Sequence, residues 1–159
     1  MSFLLTDSEI AALISELKQL PQSYMSRLHL KAKPGHRERE LEIVGAKGSE
    51  FRIILRQSTL NVLDFSVILA YLPKSSSQGF RLRRYNGKSH EHTNKLERQT
   101  FYDFHIHYAT ERYQNSGLRE DAFAEVTGRY GDIQGAIGCL IADCGFVVPV
   151  PITGQELLF

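Results

Sequence analysis

The sequence predicts an α+β fold: an antiparallel sheet of about five strands, with an N-terminal helix and a C-terminal helical pair packed on one face. Three observations predict it. Residues 1–21 carry apolar side chains at helical spacing, residues 37–109 alternate apolar and polar side chains, and residues 118–145 return to helical spacing. Because the strand-like runs are joined by short Gly-, Ser- and Asn-containing segments, antiparallel hairpins are favoured over parallel crossovers.

The N-terminal helix has a clear beginning and end. Thr6 and Glu9 match a capping box, in which a hydroxyl and a carboxylate pair with free backbone amides. Apolar residues follow at helical spacing as far as Pro21, which cannot continue a helix. These apolar residues are Ile10, Leu13, Ile14 and Leu17.

Five runs in the middle of the chain have the period of a β-strand. Alternation places successive side chains on opposite faces of a sheet, so one face is expected to be apolar and the other polar. The gaps between the runs are rich in residues that favour turns. The predicted strands are residues 40–44, 51–57, 62–72, 80–85 and 101–109.

The C-terminal third is predicted to be helical and then extended. A weak helical pattern covers residues 118–127, and a strong one ends at Cys144. Residues 146–159 form an apolar tail with Pro149 and Pro151, which predicts an extended segment at a sheet edge because proline cannot donate to a central ladder. At 159 residues, all of these elements are expected to belong to a single domain.

The composition is typical of a folded cytoplasmic protein. Hydrophobic residues make up 42% of the chain, and two cysteines, Cys139 and Cys144, give no disulfide framework. The N-terminus lacks the features of a signal peptide, and no apolar stretch approaches the ~20 residues that span a membrane. We therefore expect no membrane partner. The apolar tail leaves room for a homo-oligomer contact.

A formal net charge of +1 conceals a concentrated basic segment. Residues 81–98 contain six lysines and arginines against two glutamates, so the remainder of the chain is net acidic. Concentrated positive charge is typical of a surface that binds phosphate or another anion. The predicted phosphate-binding residues are Arg81, Arg83, Arg84, Lys88 and Tyr85.

Four of the six histidines lie close to this basic segment. Strand alternation predicts that His105 and His107 share an open polar face with Arg81, Arg83 and Tyr85. A loop over that face is expected to carry the other two histidines. Imidazoles titrate near pH ~6.5, so a pair can act as general base and general acid, while guanidinium groups bind phosphate oxygens. The predicted catalytic residues are His90, His92, His105 and His107.

This set of groups suits phosphoryl transfer on RNA without a cofactor. One histidine would take the proton of a ribose 2′-hydroxyl, the other would protonate the leaving oxygen, and an arginine would stabilise the developing charge. The first hypothesis is therefore a metal-independent ribonuclease with His105 and His107 as the acid and base pair.

Two other functions fit the same residues. A nucleic-acid-binding or protein-binding factor would use the cationic face without chemistry. A small metalloenzyme would use the histidines as ligands, with Asp103, Glu91 or Glu111 in sequence reach, although neighbouring arginines count against a bound cation. Each group also has a purely structural explanation, such as a solvated histidine pair or a packing tyrosine.

The run FRLRRYNG, residues 80–87, precedes the two His-x-His pairs, and this arrangement resembles the TumE-type toxin families of bacterial toxin–antitoxin operons. In those families an Arg-Tyr or Arg-Trp and an Asp-Asn precede a histidine pair and a later Pro-His-His-x-His run. Here Asn86 and Gly87 replace Asp-Asn, and the later run is less dense. The resemblance covers residues 50–110 and implies a toxin-like protein that acts on RNA and is held inactive by a partner antitoxin.

Overall fold

The computed structural model describes residues 3–150, which form four helices and eleven strands. The helices are α1 (Asp7–Ser15), α2 (Tyr24–Arg27), α3 (Glu111–Asn115) and α4 (Ile133–Asp143). The first six strands are β1 (Lys18–Gln19), β2 (Lys31–Lys33), β3 (His36–Val44), β4 (Glu50–Ser58), β5 (Phe65–Tyr71) and β6 (Phe80–Asn86). The remaining five are β7 (His92–Asn94), β8 (Gln99–Phe101), β9 (His105–Tyr108), β10 (Phe123–Val126) and β11 (Phe146–Val147).

The main structural unit is one antiparallel sheet of seven strands in the order β10-β9-β6-β5-β4-β3-β2. Each of the five predicted runs contains a strand of this sheet, namely β3, β4, β5, β6 and β9, while β2 and β10 extend its two edges. The run of residues 101–109 is not one strand, because Phe101 ends β8 of a separate hairpin and β9 begins at His105. A mixed fold built on a large antiparallel sheet is therefore confirmed, although the sheet has seven strands rather than five. Two smaller sheets accompany it, a parallel pair of β1 with β11 and a hairpin of β7 with β8.

Of the two helices predicted in the C-terminal third, one is present and the other is not. Helix α4 matches the strong helical pattern, but residues 118–127 contain β10, which pairs with β9 from Phe123 opposite Tyr108 to Val126 opposite His105. A short apolar pattern does not distinguish a helix from a strand, and pairing with the edge of β9 satisfies the backbone of this segment.

The N-terminal helix is shorter in the structure than the sequence predicts, and only the start of the predicted C-terminal extended segment lies within the described residues. Helix α1 begins with the predicted capping box of Thr6 and Glu9 but ends at Ser15, well before Pro21. The start of the predicted extended tail forms β11, and the tail from residue 151 onward lies outside the described residues. None of the helices within residues 3–150 is long and apolar enough to cross a membrane.

One face of the large sheet carries the hydrophobic core. Helix α4 lies against β5 and β6 on this face, because its apolar stripe must be shielded from water. The sheet side of the core consists of residues whose exposed fractions do not exceed 2%: Phe51, Ile53, Leu55, Val67, Leu69, Tyr85 and Ile106. We call this side of the sheet the core face.

A buried lysine joins the ends of the two long helices. The side chain of Lys18 is fully buried, and its Nζ lies within 2.9 Å of the carbonyl oxygens of Leu13, Ile14, Glu16 and Cys144. Helix C-termini leave carbonyl oxygens without partners and carry partial negative charge. The ammonium group donates to carbonyl groups at the C-terminal ends of both helices, and in this way it links α1 to α4.

Replacement of Lys18 by methionine should lower the free energy of unfolding by about 3 kcal/mol, because several buried carbonyl groups lose their donor. Lys33→Met, at an exposed lysine of β2, is the matched control and should change stability by less than about 0.5 kcal/mol. Urea unfolding followed by circular dichroism measures both. Equal midpoints for the two variants would contradict this role of Lys18.

Candidate functional site

A β-bulge between β5 and β6 decides which basic side chains lie beside the histidines. Leu69 pairs with Arg83, and the next residue, Ala70, pairs with Arg81, so Leu82 is the extra residue. The sequence prediction depended on strict alternation. At a bulge this alternation fails, because one added residue moves every following side chain to the opposite face of the sheet.

The predicted placement of Arg83 and Tyr85 beside the histidines is therefore wrong, since both lie on the core face. Tyr85 is fully buried, and its hydroxyl donates to Asp143 at 2.7 Å. The Nη1 atom of Arg83 lies 3.9 Å from the same carboxylate, and its guanidinium packs 4.6 Å from the ring centre of Tyr108. Neither side chain is placed to bind a phosphate next to the histidines.

The opposite side of the sheet, which we call the histidine face, carries His105 and His107. The register of β6 with β9 sets Arg84 opposite His107 and Asn86 opposite His105, and residues paired in this way share a face. The pairing of Arg81 with Ala70 places that arginine on the same side. Two of the predicted basic residues, Arg81 and Arg84, therefore do accompany the histidines.

The histidine face is not open at this point, because the β7–β8 hairpin covers it. His105 is fully buried and His107 is 3% exposed. The ring centre of His92 lies 5.3 Å from that of His105 and 4.8 Å from that of His107. Phe101 packs beside the same rings, 5.6 Å from His105. The predicted solvent-facing pair is thus enclosed, since residues that the sequence assigned to a loop form two strands above it.

Asn94 fastens the hairpin to the edge of the sheet. Its Nδ2 donates to the carbonyl oxygen of Ala124 at 2.7 Å, and its Oδ1 accepts from the backbone N–H of Ala124 at 2.9 Å. One side chain thereby pairs with an edge strand as a neighbouring strand would. At the hairpin turn, Tyr113 accepts from the N–H of Leu96 and donates to Glu97 at 2.6 Å.

Backbone carbonyl groups orient both buried imidazoles. The Nδ1 of His105 donates to the carbonyl of Asp103 at 2.7 Å, and the Nδ1 of His107 donates to the carbonyl of Asp121 at 2.7 Å. Because a carbonyl oxygen only accepts, each Nδ1 carries the hydrogen, and each neutral ring has its lone pair on Nε2. The Nε2 of His105 is buried and has no hydrogen-bond partner in the described part of the chain.

The third imidazole, His92, is oriented by Asn94. The two bonds to Ala124 fix which end of the Asn94 amide is oxygen. Since the Nε2 of His92 lies 2.8 Å from that oxygen, Nε2 is the donor, and the lone pair of the neutral ring is on Nδ1. One ring nitrogen from each of the three histidines lies within 4.8 Å of the other two.

The spacing of the three ring centres is compatible with a single metal ion, and the ring nitrogens, now within 4.8 Å of one another, would draw closer to reach bonds of about 2.0 Å. The ring centres are 4.8, 4.9 and 5.3 Å apart. With Zn–N bonds of about 2.0 Å, imidazoles at tetrahedral angles around one zinc ion would have centres about 5 Å apart. In addition, a ligating histidine commonly donates its other N–H to a backbone carbonyl, as His105 and His107 do.

Burial keeps these rings neutral at physiological pH. It lowers the pKa of His105 to about 4 and the pKa of His107 to about 2, where the charge of Arg84 adds to the effect. Burial also lowers the pKa of His92. Hydrogen bonds to Asn94 and to the backbone of Ala122 raise this pKa but only partly offset the effect of burial. A ring that stays neutral does not favour the predicted general-acid role, whereas its lone pair is free to bind a metal.

Carboxylates offset part of the positive charge near the cluster. The Nε of Arg84 donates to the fully buried Asp121 at 2.9 Å, and the backbone N–H of Arg81 donates to Glu120 at 3.0 Å. The ion pair of Arg84 with Asp121 offsets part of the positive charge at the cluster, which weakens the objection to a bound cation that the sequence raised.

The other predicted residues lie around the cluster without joining it. Lys88 is half-buried and His90 is exposed, in the loop between β6 and β7, where Glu91 is also exposed. Of the other carboxylates considered as ligands, Asp103 contributes its backbone carbonyl, and Glu111 accepts from the N–H of Asp7 at the start of α1.

Sequence reasoning missed Asn94 and Asp121. Asn94 lay in a segment interpreted as a loop, although the alternation in His92-Thr93-Asn94 is a weak signal of a strand. Nothing in the sequence marks Asp121, whose carbonyl and carboxylate contact a histidine and an arginine that lie more than ten residues away along the chain.

Comparison of the chain with known proteins finds no matching family model, no matching curated protein and no matching solved structure. The resemblance to TumE-type toxins therefore stays a prediction from the sequence.

Replacement of Asn94 by alanine should lower the free energy of unfolding by about 2 kcal/mol, because the N–H and carbonyl of Ala124 lose their partner. Asn115→Ala, at an exposed asparagine at the end of α3, is the control and should change stability by less than about 0.5 kcal/mol. Urea unfolding measures both variants. An Asn94→Ala protein as stable as the control would show that this amide does not hold the hairpin.

Proposed function

We propose that this protein binds a divalent first-row transition metal ion, zinc in the first instance, through Nδ1 of His92, Nε2 of His105 and Nε2 of His107. The observation that carries the proposal is that one ring nitrogen from each of the three histidines lies within 4.8 Å of the other two, while hydrogen bonds fix the tautomer of each ring. Imidazole nitrogen suits zinc, copper, iron and nickel, so the ligand type supports this class of ion.

The unpartnered nitrogen of His105 supports metal binding over a purely structural role. A buried polar atom without a hydrogen bond costs about 1–3 kcal/mol, and native proteins seldom retain one without a reason. A histidine that serves packing alone would be expected to satisfy both ring nitrogens. A shared ion satisfies the lone pairs of all three rings in one step.

We further propose that the centre supports hydrolysis of a phosphate-bearing substrate. When bound by three histidines, zinc acts as a Lewis acid and lowers the pKa of a coordinated water to about 7. Arg84 lies opposite His107 on the same face, and a guanidinium group binds anionic oxygens through its remaining N–H groups. RNA is the substrate that the sequence predicts, while the toxin-like role and the antitoxin partner stay predictions.

Untagged protein should bind one zinc ion per chain, measured by equilibrium dialysis and elemental analysis. His105→Ala and His107→Ala should lower the zinc affinity by more than about 100-fold, since loss of a supporting contact alone costs about 10- to 100-fold. His92→Ala tests the same point at a half-buried ring on the hairpin.

His29→Ala replaces an exposed histidine outside the cluster and should leave zinc binding unchanged. Circular dichroism checks that each variant is folded. A wild-type protein without stoichiometric zinc, or an equal loss in His29→Ala, would contradict the proposed metal site.

Zinc-loaded protein should cleave a short single-stranded RNA, and EDTA should abolish the cleavage because the ion supplies the reactive water. His107→Ala should be inactive and His29→Ala should be active, as measured by denaturing gel electrophoresis. Cleavage that persists in EDTA and in His107→Ala would contradict metal-assisted chemistry. Absence of cleavage by the loaded wild type would remove RNA from the proposed substrates without affecting the zinc-binding test.

A further inference from the structure

A fourth histidine, His90, lies at the edge of the three-histidine cluster. Its ring centre is 6.2 Å from that of His105, and the two ring planes meet at 88°. The three rings inside the cluster are 4.8 to 5.3 Å apart, so His90 lies about 1 Å farther from its neighbour His105 than those rings lie from one another. In contrast to the other three, its side chain is exposed.

The loop that carries His90 is held at both ends. Gly87 lies against Leu63, where an added Cβ would stand 1.8 Å from the Leu63 carbonyl oxygen, and its own N–H donates to the carbonyl of Phe65. Two residues after His90, the ring of His92 is fixed by Asn94. The short segment between these anchors limits how far the His90 ring can move from the cluster.

The His90 ring itself is free to turn. Its Nδ1 lies 3.1 Å from the hydroxyl of the adjacent Ser89, a local and exposed contact. A side-chain rotation or a small shift of residues 89–91 would bring the ring toward the other three. No strand or helix bond has to break for this movement, since these three residues lie between β6 and β7.

We propose that His90 is the fourth protein ligand of the ion, so that the bound centre has four imidazoles in tetrahedral arrangement. This inference rests on the proposed function. Zinc sites with four protein ligands are closed, whereas catalytic sites retain a position for water or substrate. His90 is the exposed ligand of the set, and its departure would therefore open the position that the proposed hydrolysis requires for water.

Cobalt(II) in place of zinc tests this ligand directly, because its visible d–d bands report the number and type of ligands. The full-length wild type, His90→Ala and Glu91→Gln are each titrated with Co²⁺. His90→Ala should fold normally, as the residue is exposed, and should bind Co²⁺ at least about tenfold more weakly with a changed spectrum. Free imidazole should restore the wild-type spectrum, and azide should perturb the variant more than the wild type.

Glu91→Gln, at the exposed neighbouring carboxylate, should give the wild-type spectrum and affinity. Identical spectra and affinities for wild type and His90→Ala would overturn the proposal and leave the three-histidine site intact. A changed spectrum in Glu91→Gln, with none in His90→Ala, would overturn it in favour of the carboxylate. A wild type that binds no Co²⁺ would overturn the metal centre itself.

Discussion

Two backbone carbonyl groups determine what the buried histidines are able to do. By accepting the Nδ1–H of His105 and of His107, the carbonyls of Asp103 and Asp121 fix both rings in the tautomer whose lone pair is on Nε2. The alternation of β9 then sends both rings to the same side of the sheet. The hairpin completes the arrangement, because it brings a third ring over the pair and covers both rings. The buried Nε2 of His105, which meets no hydrogen-bond partner within residues 3–150, and the two rings beside it are suited to ligate a cation.

The bulge at Leu82 separates the basic residues that the sequence places together. Arg83 joins the core face, where Asp143 and Tyr108 surround it, and Arg84 stays on the histidine face with Asp121. The three arginines of residues 81–84 thus lie in two different environments, with Arg83 on the core face and the other two on the histidine face. The guanidinium groups of Arg83 and Arg84 each lie near a carboxylate, so the local field is weaker than the charge count of residues 81–98 suggests. This pairing reduces the repulsion that a cation would meet beside a segment whose composition points to anions.

Much of the fold follows from the sequence, because its signals are local. The capping box of Thr6 with Glu9 marks the start of α1, the long apolar stripe marks α4, and period-two runs mark five strands. The gathering of four histidines near one sheet face was also predictable. The bulge was not, since it depends on how β6 packs against β5, and an extra residue looks the same as regular alternation over so short a run. The cover over the histidines depends on Asn94 and Ala124, which lie thirty residues apart, and no local pattern encodes such a contact.

Anomalous diffraction from crystals grown with zinc tests the central claim most directly. The account predicts a single strong anomalous peak, at the zinc edge and absent below it, at about 2.0 Å from Nδ1 of His92, Nε2 of His105 and Nε2 of His107. A peak at other residues, or clear density for a water or a protein donor on the Nε2 of His105 in zinc-saturated crystals, would contradict it.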